Sequence, residues 1–352
     1  MVLAMMALQS RHLPQYLRKQ QANGEAKMVP SRRSMVGGLA GATVLGLAGA
    51  KAQVADYPSR DIRAMCGFPP GSNNDVIVRF FANKLQAVAG RTVIVENRPG
   101  AFGNIATEAT ARSRPDGLTI YLSGSASLAA APSVFKKLNF DPLADFTFVT
   151  TVANIGFVLL VDARKPIHSV ADLTAYLKAK SGPIAYASAT MPSNVASELY
   201  KKEAGVRGDL VNYKTTADSM NDILGGQIDF TFASTSFGIE QQRAGRLRML
   251  GVSSPRRMLS LPDVPSMVEA GVPGFDLQEF WLVSVAAKTP QPIIDKLESW
   301  FTEVVAMEET KKFLFDMGLD PLSVPQAGTR AMIERHTAAW REFVKLANIQ
   351  PM

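Results

Sequence analysis

Short apolar runs alternate with stretches of helical periodicity along most of the chain. Residues 62–66 are largely apolar and lead into a loop that contains glycine and proline, after which apolar residues recur at helical spacing from Val76 to Leu85. The same order of apolar run, loop and periodic segment repeats up to about residue 254. This pattern predicts strands that alternate with helices, which is typical of α/β folds with parallel sheets.

The pattern places ten strands and seven helices. Predicted strands lie at residues 62–66, 92–95, 118–122, 146–149, 158–161, 184–187, 209–213, 228–232, 247–252 and 281–286. Predicted helices cover 76–85, 105–110, 196–204, 220–224, 291–307 and 326–346, and a further helix opens at Ser169 with capping-box spacing. Residues 188–194 are expected to be a polar loop.

Two glycine-rich loops carry the main functional signal. They lie at residues 67–75 and 96–105, each between a predicted strand and a predicted helix. Two successive units of this kind bring two helix N-termini, with free backbone N–H groups, to the carboxyl edge of one parallel sheet. Such an edge favours an anion, so we expect the protein to bind a small carboxylate.

The first 52 residues have the pattern of a leader with an export signal. A twin-arginine pattern at residues 31–34 precedes a Gly/Ala-rich apolar run, and Ala50-Lys51-Ala52 is an A-x-A cleavage site. The run is shorter than the roughly 20 residues that span a bilayer. The signal is complete from Met28 onward, so Met28 is a candidate start. An ordinary secretory signal with a chance arginine pair is the alternative, and either route predicts a periplasmic protein.

The positive charge is concentrated at the N-terminus. The first 52 residues hold seven of the 38 Lys and Arg and one of the 31 acidic residues, so the remainder is nearly neutral despite the formal +7 of the chain. A near-neutral body argues against nucleic-acid or membrane-surface binding, which needs a concentrated basic face. The single cysteine, Cys66, cannot form an intramolecular disulfide and is expected to be buried.

Motifs of catalysis are largely absent from the sequence. After residue 52 only His168 and His336 remain, and both are expected to be structural. Neither glycine loop fits the Walker pattern or the dinucleotide fingerprint, and residues 124–127 lack the closing glycine of a nucleophile elbow. No cluster has metal-ligand spacing. We therefore expect no enzyme activity, no cofactor and no metal.

Short motifs run through the chain from residue 57 to residue 349. They are FPPG at 68–71, ENRPGA at 96–101, GNI at 103–105, PDG at 115–117, YK at 213–214, LGGQID at 224–229, AGRLR at 244–248 and LPDVP at 261–265. In this order they resemble the Bug-type solute receptors, the extracytoplasmic binding components of tripartite tricarboxylate transporters. The resemblance implies a type II periplasmic-binding-protein fold that closes like a Venus flytrap over a carboxylate.

The resemblance also implies how the chain is divided. Residues 1–52 would be the leader, residues 53–154 with 278–352 lobe I, and residues 155–277 lobe II. Each lobe would be a mainly parallel sheet flanked by helices. The implied ligand contacts come from loops at the carboxyl edges of the two sheets, and the candidates are Phe68, Pro70, Gly71, Ser72, Ala101, Phe102, Gly103, Asn104, Ser123, Ser188, Thr190, Ser193, Asn194 and Tyr213.

Four residues in these loops have more than one interpretation. Ser72 either reaches the ligand or caps the following helix together with Asp75, and an acid beside a bound carboxylate would be repulsive. Phe102 either stacks on an apolar or aromatic ligand or packs locally. Lys214 either pairs with a ligand carboxylate or is solvated. Departures from the family pattern fall mainly in the predicted second lobe. The carboxylate-binding mode is therefore more strongly predicted than the ligand specificity.

The sequence therefore predicts a periplasmic receptor that captures a small organic carboxylate and delivers it to membrane subunits of a tripartite tricarboxylate-type transporter. We expect a monomer that does not bind nucleic acid. An exported α/β enzyme that acts on a carboxylate and a ligand sensor that feeds a membrane signalling protein are the alternatives. A ligand recovered unchanged favours the receptor, and turnover favours the enzyme.

Overall fold

The computed structural model describes residues 56–351. The predicted leader, its twin-arginine pattern and its cleavage site lie outside these residues. Within the described range, no helix has both the length and the apolar character needed to cross a membrane.

The described residues alternate between strands and helices over most of their length. The strands are β1 (Ile62–Cys66), β2 (Val93–Asn97), β3 (Thr119–Gly124), β4 (Phe146–Ile155), β5 (Phe157–Asp162), β6 (Ala185–Ser188), β7 (Asp209–Asn212), β8 (Phe230–Ser234), β9 (Leu247–Val252), β10 (Glu279–Ala286) and β11 (Leu319–Pro321). The helices are α1 (Asn73–Ala89), α2 (Asn104–Ala111), α3 (Ala126–Ala129), α4 (Ala131–Val134), α5 (Val170–Ala179), α6 (Met191–Ala204), α7 (Met220–Leu224), α8 (Thr235–Arg243), α9 (Gln291–Ala306), α10 (Glu308–Asp316) and α11 (Gln326–Leu346). Two 3-10 turns lie at Ala101–Gly103 and Thr216–Ser219.

The strands form two sheets, one in each lobe. The sheet of lobe I has the order β11-β4-β10-β3-β1-β2, and the sheet of lobe II has the order β7-β6-β8-β5-β9. The chain passes from the first sheet to the second between β4 and β5 and returns between β9 and β10. The predicted two-lobed α/β fold is confirmed.

Both sheets are mixed, so the expectation that each sheet is mainly parallel is wrong. β1 pairs in parallel with β2 and β3, and β6 pairs in parallel with β7 and β8. β10 is antiparallel to β3 and β4, β11 is antiparallel to β4, and β5 is antiparallel to β8 and β9. Each antiparallel pair includes a strand at which the chain enters or leaves a lobe, namely β4, β5, β9 or β10. No crossover helix within the same sheet precedes an entering strand, so nothing imposes a parallel direction on it.

Several elements differ from the predicted ones. Residues 191–194 are the first turn of α6 rather than a loop, because Thr190 caps the helix and Pro192 is compatible with its first turn. Helices α8 and α10, the short helices α3 and α4, and strand β11 were absent from the prediction. In α8 the periodicity is weak, since a glycine and several polar residues interrupt it.

Each lobe has its own apolar core, and the C-terminal helix contacts both. In lobe I, Phe81 and Phe301 pack between the sheet and helices α1 and α9. In lobe II, Tyr200 and Phe230 pack edge to face within the core. Ile333 of α11 belongs to a cluster of lobe I residues, whereas Trp340, two turns further along the same helix, belongs to the core of lobe II. Helix α11 therefore spans the two lobes.

Candidate functional site

The loop between β1 and α1 is held in place by a hydrogen-bond network around a buried acid. Ser72 is the N-cap of α1, and its Oγ accepts from the Asp75 N–H at 3.2 Å. The Asp75 carboxylate accepts from the Gly71 N–H at 2.8 Å, from Arg79 Nε at 2.8 Å and from Asn97 Nδ2 at 2.7 Å. Burial opposes ionisation of Asp75, but these hydrogen bonds outweigh it and lower the pKa of the carboxyl. The hydroxyl of Ser72 therefore has a capping role.

The loop between β2 and α2 approaches the first loop through glycine. A Cβ on Gly67 would lie 2.8 Å from the Cα of Gly103, so the two backbones touch at this point. Both glycines lie over the hydroxyl of Tyr121, which is buried and bonds to Thr107 Oγ1 at 3.0 Å. Burial raises the pKa of Tyr121, although its hydrogen bonds act in the opposite direction. Tyr121 therefore packs against both loops and helps to hold them in position, a role that the sequence analysis did not predict.

Phe102 has an unusual backbone conformation at the tip of this second loop. Its φ is 54° and its ψ is 34°, in the left-handed region that few residues other than glycine adopt. The side chain is 55% exposed, so it projects from the loop instead of packing in the core. This exposure agrees with a position at the mouth of a cleft.

Lobe II presents two capped helix N-termini towards lobe I. Thr190 Oγ1 accepts from the Ser193 N–H at 3.3 Å at the start of α6, and Ser234 Oγ accepts from the Phe237 N–H at 3.4 Å at the start of α8. Ser193 is buried, and its hydroxyl donates to the carbonyl oxygen of Phe232. Its position in the core leaves Ser193 away from the cleft surface.

A cavity of about 710 Å³ lies between the lobes. Loops after β1, β2 and β3 line it from lobe I, and loops after β6, β7 and β8 line it from lobe II. Pockets of roughly 300–1,000 Å³ are typical of small-molecule sites. Among the residues predicted from the sequence, Phe68, Phe102, Asn104 and Thr190 line this cleft.

A second cavity of about 320 Å³ adjoins the cleft at Phe102 and Thr190. Three further predicted residues, Ser188, Asn194 and Tyr213, line this side cavity and not the main cleft. The Tyr213 hydroxyl donates to Asp222 at 2.5 Å, and burial together with that carboxylate raises the pKa of Tyr213 to about 12. The other predicted residues line neither cavity, and they are Pro70, Gly71, Ser72, Ala101, Gly103, Ser123 and Ser193.

The cleft also contains residues that the sequence analysis did not select. From lobe I these include Asn74, Ser127 and Trp281, and from lobe II the runs 215–216 and 234–236. Lys214, for which the sequence left ligand pairing and solvation open, also lines the cleft. The runs in lobe II follow the ends of β7 and β8, so the signal used for the glycine loops, a polar segment after a predicted strand, was present there too. Trp281 carried no such signal, because it lies inside a strand.

The charges at the cleft are few. Lys214 is the one charged side chain among its lining residues in the described part of the chain, and no acidic side chain lines it there. Helices α1 and α2 from lobe I and α6 and α8 from lobe II begin at the cleft and direct the positive ends of their dipoles towards it. In residues 56–351 no group of three His, Cys, Asp or Glu side chains is placed to hold a metal ion. The arrangement suits an anion.

Two α/β lobes around a cleft of this kind define a solute-binding protein. A sequence model described as "Tripartite tricarboxylate transporter family receptor" matches residues 77–349, and the chain belongs to this family. The match begins after the first glycine-rich loop. The predicted resemblance to Bug-type receptors is therefore confirmed. Proteins of this family are periplasmic solute receptors and not enzymes, which also confirms the prediction of a non-enzymatic receptor.

Individual relatives agree with the family assignment. Protein BugT of Bordetella pertussis is 31% identical over 292 residues, which cover 82% of this chain and 90% of BugT. The structure of Rpa4515 of R. palustris with adipate is 27% identical, with a TM-score of 0.73, and covers 84% of this chain and 100% of the other. The periplasmic binding protein BugD is 28% identical, with a TM-score of 0.70 and the same coverage.

Proposed function

We propose that the protein captures a small organic carboxylate between its lobes and delivers it to the membrane subunits of a tripartite tricarboxylate-type transporter. The observation that carries this proposal is the cleft itself, where four helices begin and no acidic side chain lines the wall in the described residues. The structure of Rpa4515 with adipate, at 27% identity, supports a carboxylate as the ligand. We also propose that the receptor is a monomer.

The helix N-termini alone are too weak to explain useful affinity. Each contributes about 0.3–1 kcal/mol to an anion, and up to about 2 kcal/mol when the site excludes water. A micromolar Kd corresponds to about 8 kcal/mol. Direct hydrogen bonds from Asn104, Thr190 and the backbone N–H groups of the loops must supply the remainder. These bonds are strongest when the two lobes close over the ligand, in the manner of a Venus flytrap, and exclude water.

The predicted contact residues divide into two groups under this proposal. Phe68, Phe102, Asn104 and Thr190 contact the ligand directly, since they line the cleft. Ser188, Asn194 and Tyr213 contact it only where it extends past Phe102 into the side cavity. Residues that line neither cavity, such as Gly103 and Ser193, do not contact the ligand. They instead hold the backbone of the loop and of the helix start in position.

Thermal unfolding tests the binding step. The purified protein, freed of co-purified ligand by unfolding and refolding, is screened against aliphatic, hydroxylated, amino and aromatic carboxylates. A ligand at 100 times its Kd stabilises the fold by about 2.7 kcal/mol, which raises the Tm by several degrees. A selective rise in Tm with the compound recovered unchanged supports a receptor, and turnover of the compound would support an enzyme. No rise with any carboxylate would contradict the proposal.

Delivery requires a separate test. The receptor, loaded with a carboxylate that passes the first screen, is added to vesicles that contain the membrane subunits of the transporter. Uptake that depends on the receptor supports delivery. Normal binding without uptake, together with an effect on a membrane signalling protein, would favour the sensor instead.

We further propose that the protein is exported through the twin-arginine signal at residues 31–34. Replacing Arg32 and Arg33 with lysine should retain the precursor inside the cell, and the mature protein should begin at Gln53. Continued export of the double lysine variant would point to the general secretory route, since that route does not need the arginine pair.

A further inference from the structure

The two ends of the interlobe cleft differ in chemistry. At one end, the edge strands β2 and β7 of the two sheets contribute Phe102 and Lys214 through the loops that follow them. At the other end, the chain crosses between the lobes from β4 to β5. We call these the edge end and the crossover end of the cleft. The topology therefore gives the cleft an axis along which a ligand can be oriented.

The crossover end is apolar. Ile155 and Phe157 flank the crossover residue Gly156, and Leu319 pairs with Ile155 across β11 and β4. Trp281 lies on the neighbouring strand β10, where it pairs with Ala153. All four of these large side chains line the cleft, and Trp281 and Leu319 are 2% and 5% exposed because they also belong to the core of lobe I.

The side-chain hydroxyls of Ser234, Thr235 and Ser236 at the crossover end have partners within the protein. Thr235 Oγ1 donates to the carbonyl oxygen of Gly318 at 2.5 Å, and the Thr235 N–H donates to the carbonyl oxygen of Gly156 at 3.3 Å. Ser234 Oγ accepts from the Phe237 N–H. Two of the first N–H groups of α8 are thus used internally, and no cationic side chain lines this end of the cleft within the described residues, so a carboxylate placed here would have no cation to pair with.

The edge end carries the cation of the cleft. Lys214 follows β7, is exposed, and makes no ion pair within residues 56–351. An ammonium group without an internal partner is available to a ligand carboxylate. The N-terminus of α6, capped by Thr190, follows β6, the strand next to β7, and adds to the positive potential.

We propose that the ligand is a monocarboxylate with an apolar body, whose carboxylate faces Lys214 at the edge end and whose body packs on the crossover end. This inference rests on the proposed function, since it assumes that the cleft binds a carboxylate. A second carboxylate at the crossover end would be desolvated without a cation to pair with it. The cost of such an unpaired charge exceeds the gain from any other contact there.

A matched pair of ligands tests the number of carboxylates. Hexanoate and adipate have the same six-carbon chain and differ by one carboxylate. We expect hexanoate to bind at least about tenfold more tightly than adipate, because only adipate places a charge against the apolar wall. Titration calorimetry with the purified protein measures both Kd values. In the series from butanoate to octanoate, affinity should rise about three- to fourfold for each buried methylene until the cavity is filled.

Two pairs of variants test the orientation. Lys214→Gln should weaken hexanoate binding about ten- to a hundredfold, whereas Lys178→Gln, on the exposed surface of the same lobe, should leave it unchanged. Ile155→Thr should weaken octanoate by several-fold but leave propanoate unchanged. Its control is Ile94→Thr, which alters an exposed strand residue that does not line the cleft.

The outcomes separate the inference from the function beneath it. Tighter binding of hexanoate with loss in Lys214→Gln supports the inference. Tighter binding of adipate, binding of polar dicarboxylates alone, or hexanoate binding that ignores Lys214 overturns it and leaves the carboxylate receptor in place. If no carboxylate binds, both the inference and the proposed function are wrong.

Discussion

Glu279 should make the stability of the protein depend on pH near neutrality. It is the first residue of β10 and is 3% exposed, where its Oε1 accepts from Trp340 Nε1 at 3.3 Å and its Oε2 accepts from Ser125 Oγ. Burial raises the pKa of the Glu279 carboxyl from 4.5 to about 7, although its hydrogen bonds act in the opposite direction.

The size and sign of the effect follow from that pKa. The rise from 4.5 to about 7 corresponds to about 3 kcal/mol of unfolding free energy, at about 1.4 kcal/mol per pKa unit. Because the pKa is higher in the folded protein, the neutral form is favoured there. The contribution is complete below pH 4.5, is lost as the pH rises to about 7, and is absent above that.

Glu279→Gln isolates this contribution, because the amide is neutral at every pH and keeps nearly the same shape. Urea unfolding of both proteins between pH 4.5 and 8 should show the wild type losing about 3 kcal/mol relative to the variant. Glu303→Gln, at an exposed position of α9, should follow the wild type. The reasoning is refuted if the difference between wild type and Glu279→Gln stays constant over this range.

The comparison with the variant is needed because a second group, the partly buried His336, titrates with the opposite slope. Burial lowers the pKa of His336 from 6.5 to about 4. A lowered pKa gives stability that is present above pH 6.5 and is lost as the pH falls towards 4. This term is common to both proteins and cancels in their difference.

Three further substitutions test the walls of the cleft. Gly67→Ala should lower the unfolding free energy by about 1–3 kcal/mol and weaken carboxylate binding, because its Cβ would meet Gly103, whereas Gly124→Ala, with no atom within 4 Å of the new Cβ, should do neither. Equal effects of the two would contradict the loop contact. Asp75→Ala should cost about 1–3 kcal/mol in urea unfolding, since the buried carboxylate that accepts from Gly71, Arg79 and Asn97 is lost; an unchanged unfolding free energy would show that the network is dispensable. Thr190→Val should cost about 1 kcal/mol through the lost cap of α6, and an unchanged unfolding midpoint would argue against that cap.

Local patterns were sufficient to predict much of the fold. Strands β1 and β9 and helices α7 and α11 have the bounds that the sequence indicates, because their apolar spacing and adjacent turn residues are local signals. The start of α6 was misplaced although its signals were present, namely Thr190 as a cap and Pro192 in the first turn. Strand β11 has only three residues and depends on pairing with β4, so no local pattern defines it.

The candidate site was predictable only in part, for a similar reason. The glycine loops of lobe I are contiguous in sequence, and Phe68, Phe102 and Asn104 were selected from them and line the cleft. The apolar wall instead joins residues far apart in the chain. Leu319 reaches the cleft only because it pairs with Ile155, a contact over 164 positions that follows from the sheet order and not from periodicity.

The contact between Gly67 and Gly103 has a consequence for how the receptor works. Because the two loops touch through backbone atoms, the lobe I half of the site is assembled before any ligand arrives, and binding loses little entropy in ordering it. Under the proposed closure, the conformational cost of binding falls mainly on the movement of the lobes. The proposal therefore predicts that affinity depends on the equilibrium between open and closed forms, and that substitutions at the crossover around Gly156 alter Kd without touching the ligand.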